Sequence, residues 1–119
     1  MRRGEVWDAS LNPTEGSEQA GIRPVIIVSR DAINTSSSVV LSVPCTTYRI
    51  QKRVYPSQVL IISPDGGFER DSVAMVEQVR ALAKTRFLRL RGTISPTSLQ
   101  KLELAILITF DLPGQVDVE

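Results

Sequence analysis

The stretch "NPTEGSEQAGIRPVIIVSR", residues 12–30, joins two unlike halves. The first half is polar, carries Gly16 and Gly21, and contains no hydrophobic run. The second is a β-branched run enclosed by Arg23 and Arg30. Val and Ile in such a run read as a buried strand. Pro24 suits the first residue of that strand, where its missing N–H removes little of the ladder. The stretch therefore predicts a loop over Asn12–Ile22 that opens directly into a core strand over Arg23–Arg30.

More strands follow on either side. Glu5–Leu11, "EVWDASL", alternates as a strand does, and Asp31–Ser38 is polar and turn-like. Val39–Tyr48 and Ser57–Ser63 read as the third and fourth strands, and "PDGG", Pro64–Gly67, is a turn signal. Asp71–Leu82 has the β-branched content of a strand pair broken near Val76–Gln78. Near the end, Ser95 is a good N-cap and Pro96 suits the first helical position. Leu99, Leu102, Ala105, Ile106 and Thr109 then recur at helical spacing. Leu104, Leu107 and Ile108 lie outside that stripe, so the helix is apolar nearly all round, as a deep core helix or a dimer contact would be. The pattern is α+β and mainly β: a small twisted β-barrel or sandwich with a C-terminal helix.

A chain of 119 residues, 42% hydrophobic and 23% charged, makes one globular domain. The expected domain is 1–112, with 113–119 a short tail. The longest apolar run, Leu104–Ile108, is far short of a membrane span, and no signal-peptide core follows Arg2 and Arg3, so a cytoplasmic protein is expected. Cys45 is the single cysteine and there is no histidine, which argues against zinc and removes the commonest general base. The net charge is +1, but the basic residues cluster. Arg80, Lys84, Arg86, Arg89 and Arg91 form one group and Arg49, Lys52 and Arg53 another. Such clusters read either as solvated faces or as phosphate-binding patches.

The segment Glu15–Arg23 offers a hydroxyl, a carboxylate and an amide from Ser17, Glu18 and Gln19, followed by a guanidinium on the edge of a strand. A guanidinium can hold a phosphate through two parallel hydrogen bonds. If consecutive strands pair, "VPCTT", Val43–Thr47, runs beside Arg23 and brings Thr46 and Thr47 near it. Read without that pairing, the loop is a surface loop and the threonines reflect β-propensity.

In their order and spacing, "RRGEVW", "LNPTEGSEQAGIRPVIIVS", "VPCTT", "YP" and "FERDSVAMVEQVRAL" resemble the MazF/PemK (Kid) family of bacterial toxins, from Arg3 to about Phe110. The resemblance implies an SH3-like barrel, a homodimer, a MazE-like antitoxin partner, and a sequence-specific endoribonuclease that acts on single-stranded RNA without a metal or cofactor. It places the catalytic arginine on Arg23 and the catalytic threonine on Thr46, with Thr47 as the alternative. It makes Glu18 a residue implicated in activity, and has Ser17, Gln19 and Gln78 line the RNA groove. Arg86, with Arg49, Lys52, Arg53, Arg80 and Lys84, is expected to contact phosphates. Asp8 departs from the family pattern, which more often has an aromatic or aliphatic residue there. The implied reaction is attack of a ribose 2′-hydroxyl on the adjacent phosphate, leaving a 2′,3′-cyclic phosphate and a 5′-hydroxyl. A gyrase-directed toxin of the same barrel class, without nuclease activity, is the alternative. A plain SH3-like interaction module fits less well, because aromatic residues make up only 5% of the chain.

Overall fold

The computed structural model describes residues 1–113; residues 114–119 of the expected tail lie outside the described residues. The strands are β1 (Glu5–Ser10), β2 (Ile22–Ile27), β3 (Val39–Thr47), β4 (Gln58–Ile61), β5 (Ser72–Met75), β6 (Arg80–Ala83) and β7 (Phe87–Thr93). Two helices accompany them, α1 (Asp31–Ser36) and α2 (Pro96–Thr109). The strands pair antiparallel in the order β4-β5-β3-β2-β1-β7, and β6 joins β3 off that path. The mainly-β, α+β architecture is the one expected. The sheet is not joined edge to edge into a ring, because β4 and β7 end the ladder.

β3 organises the sheet. On one edge it meets β2, with Val25 opposite Pro44 and Ile27 opposite Ser42. Its other edge is shared in succession: β6 takes Val39–Ser42 and β5 takes Cys45–Thr47. Between these partners the chain makes a 3-10 turn at Val76–Gln78, where the sequence places the break. Leu41 directs both backbone groups toward β2, its carbonyl accepting from Val28 N–H and its N–H donating to Ser29 Oγ. Backbone groups alternate edges along a strand, so Pro44 presents its missing N–H to the edge where β5 has ended and β6 has not begun. A proline is tolerated in this inner strand because no ladder bond is lost there.

Side chains on one sheet face, among them Val6, Ile26, Val43, Cys45, Ile61 and Ala74, pack with Leu102 and Ala105 of α2 in the main core. A smaller cluster of Ala9, Leu11, Val25 and Leu82 lies on the opposite face, with Trp7 and Phe87 packed edge to face at 5.9 Å. α2 begins as expected: Ser95 Oγ accepts from Ser98 N–H, and Pro96 opens the first turn. Leu102 and Ala105 are buried, while Leu104 and Ile108 face outward and are about half exposed.

Two elements correct the sequence reading. Asp31–Ser38 is not simply a turn, because Asp31–Ser36 forms α1. Tertiary contacts fix it: buried Asn34 accepts from Ser29 Oγ and donates to the Ser29 carbonyl, while Asp31 accepts from the Arg3 N–H. That backbone N–H, together with the Asn34 amide, holds the Asp31 carboxyl below its ordinary range. β7 was hidden within a basic cluster. Its Leu88, Arg89, Leu90 and Arg91 alternate as a strand, but four outward or paired side chains carry no buried apolar signal.

The turn before β5 contains Gly66 and Gly67, both at positive φ. A Cβ on Gly67 would collide with the Arg91 carbonyl of β7. Gly67→Ala is expected to destabilise the fold by about 3 kcal/mol, from backbone strain and overpacking together. Urea unfolding measures this; Gly16→Ala, whose added methyl meets nothing within 4 Å, should cost less.

Candidate functional site

The β2–β3 pairing positions the two residues expected to be catalytic. The β2–β3 ladder runs from Ile27 opposite Ser42 to Val25 opposite Pro44, and Arg23 and Thr46 lie two residues beyond its last pair on their respective strands. Period-two alternation puts both on the face of Val25 and Pro44, opposite the main core. Arg23 is half-buried and pairs across to Ala9 on β1, and its Nε donates to the Ala20 carbonyl at 3.1 Å. Its guanidinium is thereby tied to the loop that precedes it.

That loop, Asn12–Gly21, is closed at its neck. Leu11 N–H donates to the Gly21 carbonyl at 2.9 Å, and Gly21 N–H donates to Asn12 Oδ1 at 3.1 Å. Farther along, Gln19 N–H donates to Gln78 Oε1 at 2.9 Å, which ties the loop to the break between β5 and β6. Gln19 Oε1 is buried without a hydrogen-bond partner. The Glu18 carboxylate turns back on its own loop, where Oε1 accepts from Glu15 N–H at 2.9 Å. Ser17 is exposed at the loop's outer side.

Two adjoining depressions follow from this arrangement. Glu18, Gln19, Pro44, Gln78 and Arg80 line one, at the strand break. Thr46, Thr47, Arg49, Lys52, Arg53 and Tyr55 line the other, and Gln19 borders both. Arg23 is not among the residues lining either depression. The Arg53 guanidinium lies over the Tyr55 ring, 5.0 Å from its centroid, and Tyr55 is half exposed. A cationic groove with an exposed aromatic suits a single-stranded nucleic acid, whose phosphates meet the charges and whose bases stack. The sequence reading missed Tyr55 as a site residue; the signal is an aromatic interleaved with bases in "RIQKRVYP", residues 49–56.

The second basic cluster is largely engaged elsewhere. Arg86 Nη1 donates to the carbonyls of Ser10 and Asn12, and Arg80 Nη1 donates to that of Leu11 at 3.3 Å. Arg91 and Arg89 donate to separate oxygens of Asp8, at 2.7 and 3.2 Å. Asp8, the departure from the expected pattern, thus supplies the acid that the Arg80–Arg91 segment lacks. Among the described residues, no three His, Cys, Asp or Glu side chains gather as a metal site would require.

These features define a small antiparallel β protein with a cationic groove beside an arginine–threonine pair. The chain belongs to the PemK-like, MazF-like toxin family of type II toxin–antitoxin systems, whose family model matches residues 2–110. It is 39% identical over 117 residues to Endoribonuclease MazF9 of Mycobacterium tuberculosis, covering 94% of this chain and 98% of that one. It is likewise 39% identical over 112 residues to Endoribonuclease MazF of Staphylococcus saprophyticus, covering 94% and 92%. Among solved structures, a mycobacterial endoribonuclease in complex with its cognate antitoxin matches with a TM-score of 0.80 at 24% identity, covering 97% of this chain and 99% of that one. MazF from Deinococcus radiodurans matches with a TM-score of 0.79 at 19% identity, covering 94% and 97%. At these identities the structural likeness is one of fold.

Cys45 lies in the main core with no exposed surface, and burial pushes its thiol pKa far up. A thiol held protonated is a poor nucleophile. The folded protein is expected to resist iodoacetamide at about pH 8 and to react once unfolded in guanidinium. Mass spectrometry of the two samples checks this; rapid labelling of the folded form would contradict the buried placement.

Proposed function

We propose that this chain is an endoribonuclease toxin that cuts single-stranded RNA at a preferred short sequence, without a metal, and is silenced by a MazE-like antitoxin. The observation that supports the reading is the cationic groove lined by Thr46, Thr47, Arg49, Lys52 and Arg53, with Arg23 on the strand that pairs with that of Thr46. The two 39% identical relatives, both named endoribonucleases, support the activity, and the mycobacterial complex supports the antitoxin.

The proposed chemistry needs only the RNA and side chains of this protein. The ribose 2′-oxygen attacks the adjacent phosphorus while the bond to the 5′-oxygen of the next nucleotide breaks. The products are a 2′,3′-cyclic phosphate and a 5′-hydroxyl. The Arg23 guanidinium stabilises charge on the non-bridging oxygens, a role suited to a group that stays protonated. Thr46 donates its hydroxyl to a phosphoryl oxygen and holds the phosphate in line, with Thr47 beside it. Glu18 takes the 2′-hydroxyl proton through the oxygen that Glu15 does not engage, and that proton is returned, directly or through water, to the departing 5′-oxygen, which leaves as the 5′-hydroxyl. Ser17, Gln19 and Gln78 contact bases at the groove's rim, and Arg49, Lys52 and Arg53 hold flanking phosphates. Tyr55 stacks on a base. Selectivity for RNA follows from the 2′-hydroxyl, which DNA lacks.

The active form is proposed to be a homodimer that uses the outer face of α2. Leu104 and Ile108 there are each about half exposed. Sedimentation at micromolar concentration is expected to show a dimer, and Leu104→Asp with Ile108→Asp should shift it to monomer.

Purified protein incubated with a long mixed-sequence RNA in EDTA should cut at a repeated short motif and leave cyclic-phosphate ends. Arg23→Ala should lower the single-turnover rate about 100- to 1,000-fold, in line with loss of one preorganised donor. Glu18→Gln should lower the single-turnover rate at neutral pH if Glu18 is the base; an unchanged rate would remove it from the mechanism. A folded protein that leaves RNA intact in EDTA would refute the nuclease reading, and a gyrase pull-down would then test the non-nuclease alternative.

A further inference from the structure

Arg86 was expected to contact RNA phosphate, yet its bonds point inward. It lies in the 3-10 turn Lys84–Arg86 between β6 and β7 and is partly buried. One amino group, Nη1, donates to two backbone carbonyls, those of Ser10 and Asn12. Arg80 fills the gap by donating to the carbonyl between them, that of Leu11. Three successive carbonyls leaving β1 are thus held by two guanidinium groups. From Asn12 the contacts run on: its Oδ1 accepts from Gly21 N–H, and the neighbouring Ala20 carbonyl accepts from Arg23 Nε.

We propose that Arg86 is a positioning residue: it holds the neck of loop Asn12–Gly21 and, through Asn12, fixes the guanidinium of Arg23, rather than binding RNA itself. The physical case is one of satisfaction. Carbonyls at the end of a strand need donors, and a charged donor forms a stronger bond than a neutral one. An amino group whose two hydrogens both meet backbone carbonyls has none left on that nitrogen for a phosphate. The inference rests on the ribonuclease reading above only for its kinetic consequence. The clamp itself is a property of the fold.

Two variants open the clamp at different points. Arg86→Met removes the donor and its charge, and Asn12→Ala removes the next link and no charge. Both should lower the single-turnover rate at saturating RNA by about 100-fold, the scale of a displacement near 1 Å. Both should leave binding of an uncleavable 2′-O-methyl RNA nearly intact, with an unchanged salt slope, and should speed hydrogen exchange at the Gly21 amide. Arg86→Lys, whose ammonium can also reach two carbonyls, should restore most of the rate.

The proposal is overturned if Arg86→Met flattens the salt slope by about 0.7, the value for one phosphate contact on a single strand, while Gly21 exchange stays as in the unmodified protein. It is also overturned if Asn12→Ala has the full rate. Should the unmodified protein fail to cut RNA, the ribonuclease reading falls, and Gly21 exchange in the same variants still decides the clamp: unchanged protection in both would overturn it.

Discussion

The absence of one N–H, at Pro44, shapes the working side of this molecule. A strand with two complete ladders would be covered along both edges. β3 is not, because its outer edge passes from β6 to β5 across Pro44, where the chain makes the 3-10 turn Val76–Gln78. The depression left there is lined by Pro44 itself, with Gln78, Arg80 and the tip of the loop around it. Gln78 reaches from this break to hold Gln19, so the defect in the ladder becomes the anchor for the loop. On its other edge β3 pairs with β2 from Ser42 to Pro44, and Thr46 and Arg23 lie just beyond the end of that ladder. The two edges of one strand therefore differ: one is paired continuously with β2 from Ser42 to Pro44 and the other leaves a depression at Pro44.

Charge is arranged by the same economy of partners. The chain is nearly neutral overall, with a net charge of +1, so bulk attraction for a polyanion is small. Local pairing decides which cations already have protein partners. Arg89 and Arg91 are matched by Asp8, and Arg80 and Arg86 by carbonyls at the start of the loop. Arg49, Lys52 and Arg53 are exposed and stand together beside Thr46 and Thr47. Among the described residues, the unpaired charge beside Thr46 and Thr47 thus comes from one short segment, and Arg53 sits on the Tyr55 ring there.

Much of this was legible in the amino-acid sequence, and the exceptions have physical reasons. The strand after the loop, the break near Val76–Gln78 and the Ser95–Pro96 helix start are signals of local chemistry: β-branched runs, capping and proline geometry. Two elements escaped notice because tertiary partners make them. α1 is tied down by the Arg3 N–H on Asp31, and β7 by its antiparallel ladder to β1. For the site, Arg23 and Thr46, with Thr47 as the alternative, were named from the resemblance, and the strands that carry them are neighbours in the sheet. The behaviour of Arg86 could not be read, because a run of arginines looks the same whether its partners are phosphates or carbonyls. Only the fold shows that Ser10, Leu11 and Asn12 present three carbonyls to two of those arginines. Tyr55 was passed over for the opposite reason, because a single exposed aromatic among cations makes no periodic pattern.

The central claim is that Arg23 and Thr46 act on one phosphate as a unit. A double-mutant cycle tests it most directly, with single-turnover cleavage rates measured for the unmodified protein, Arg23→Ala, Thr46→Ala and the double variant. Groups that serve the same transition state are strongly non-additive, so the double variant should be little slower than the slower single one. Losses that simply multiply would show two independent contributions and would contradict the shared site that the β2–β3 register implies.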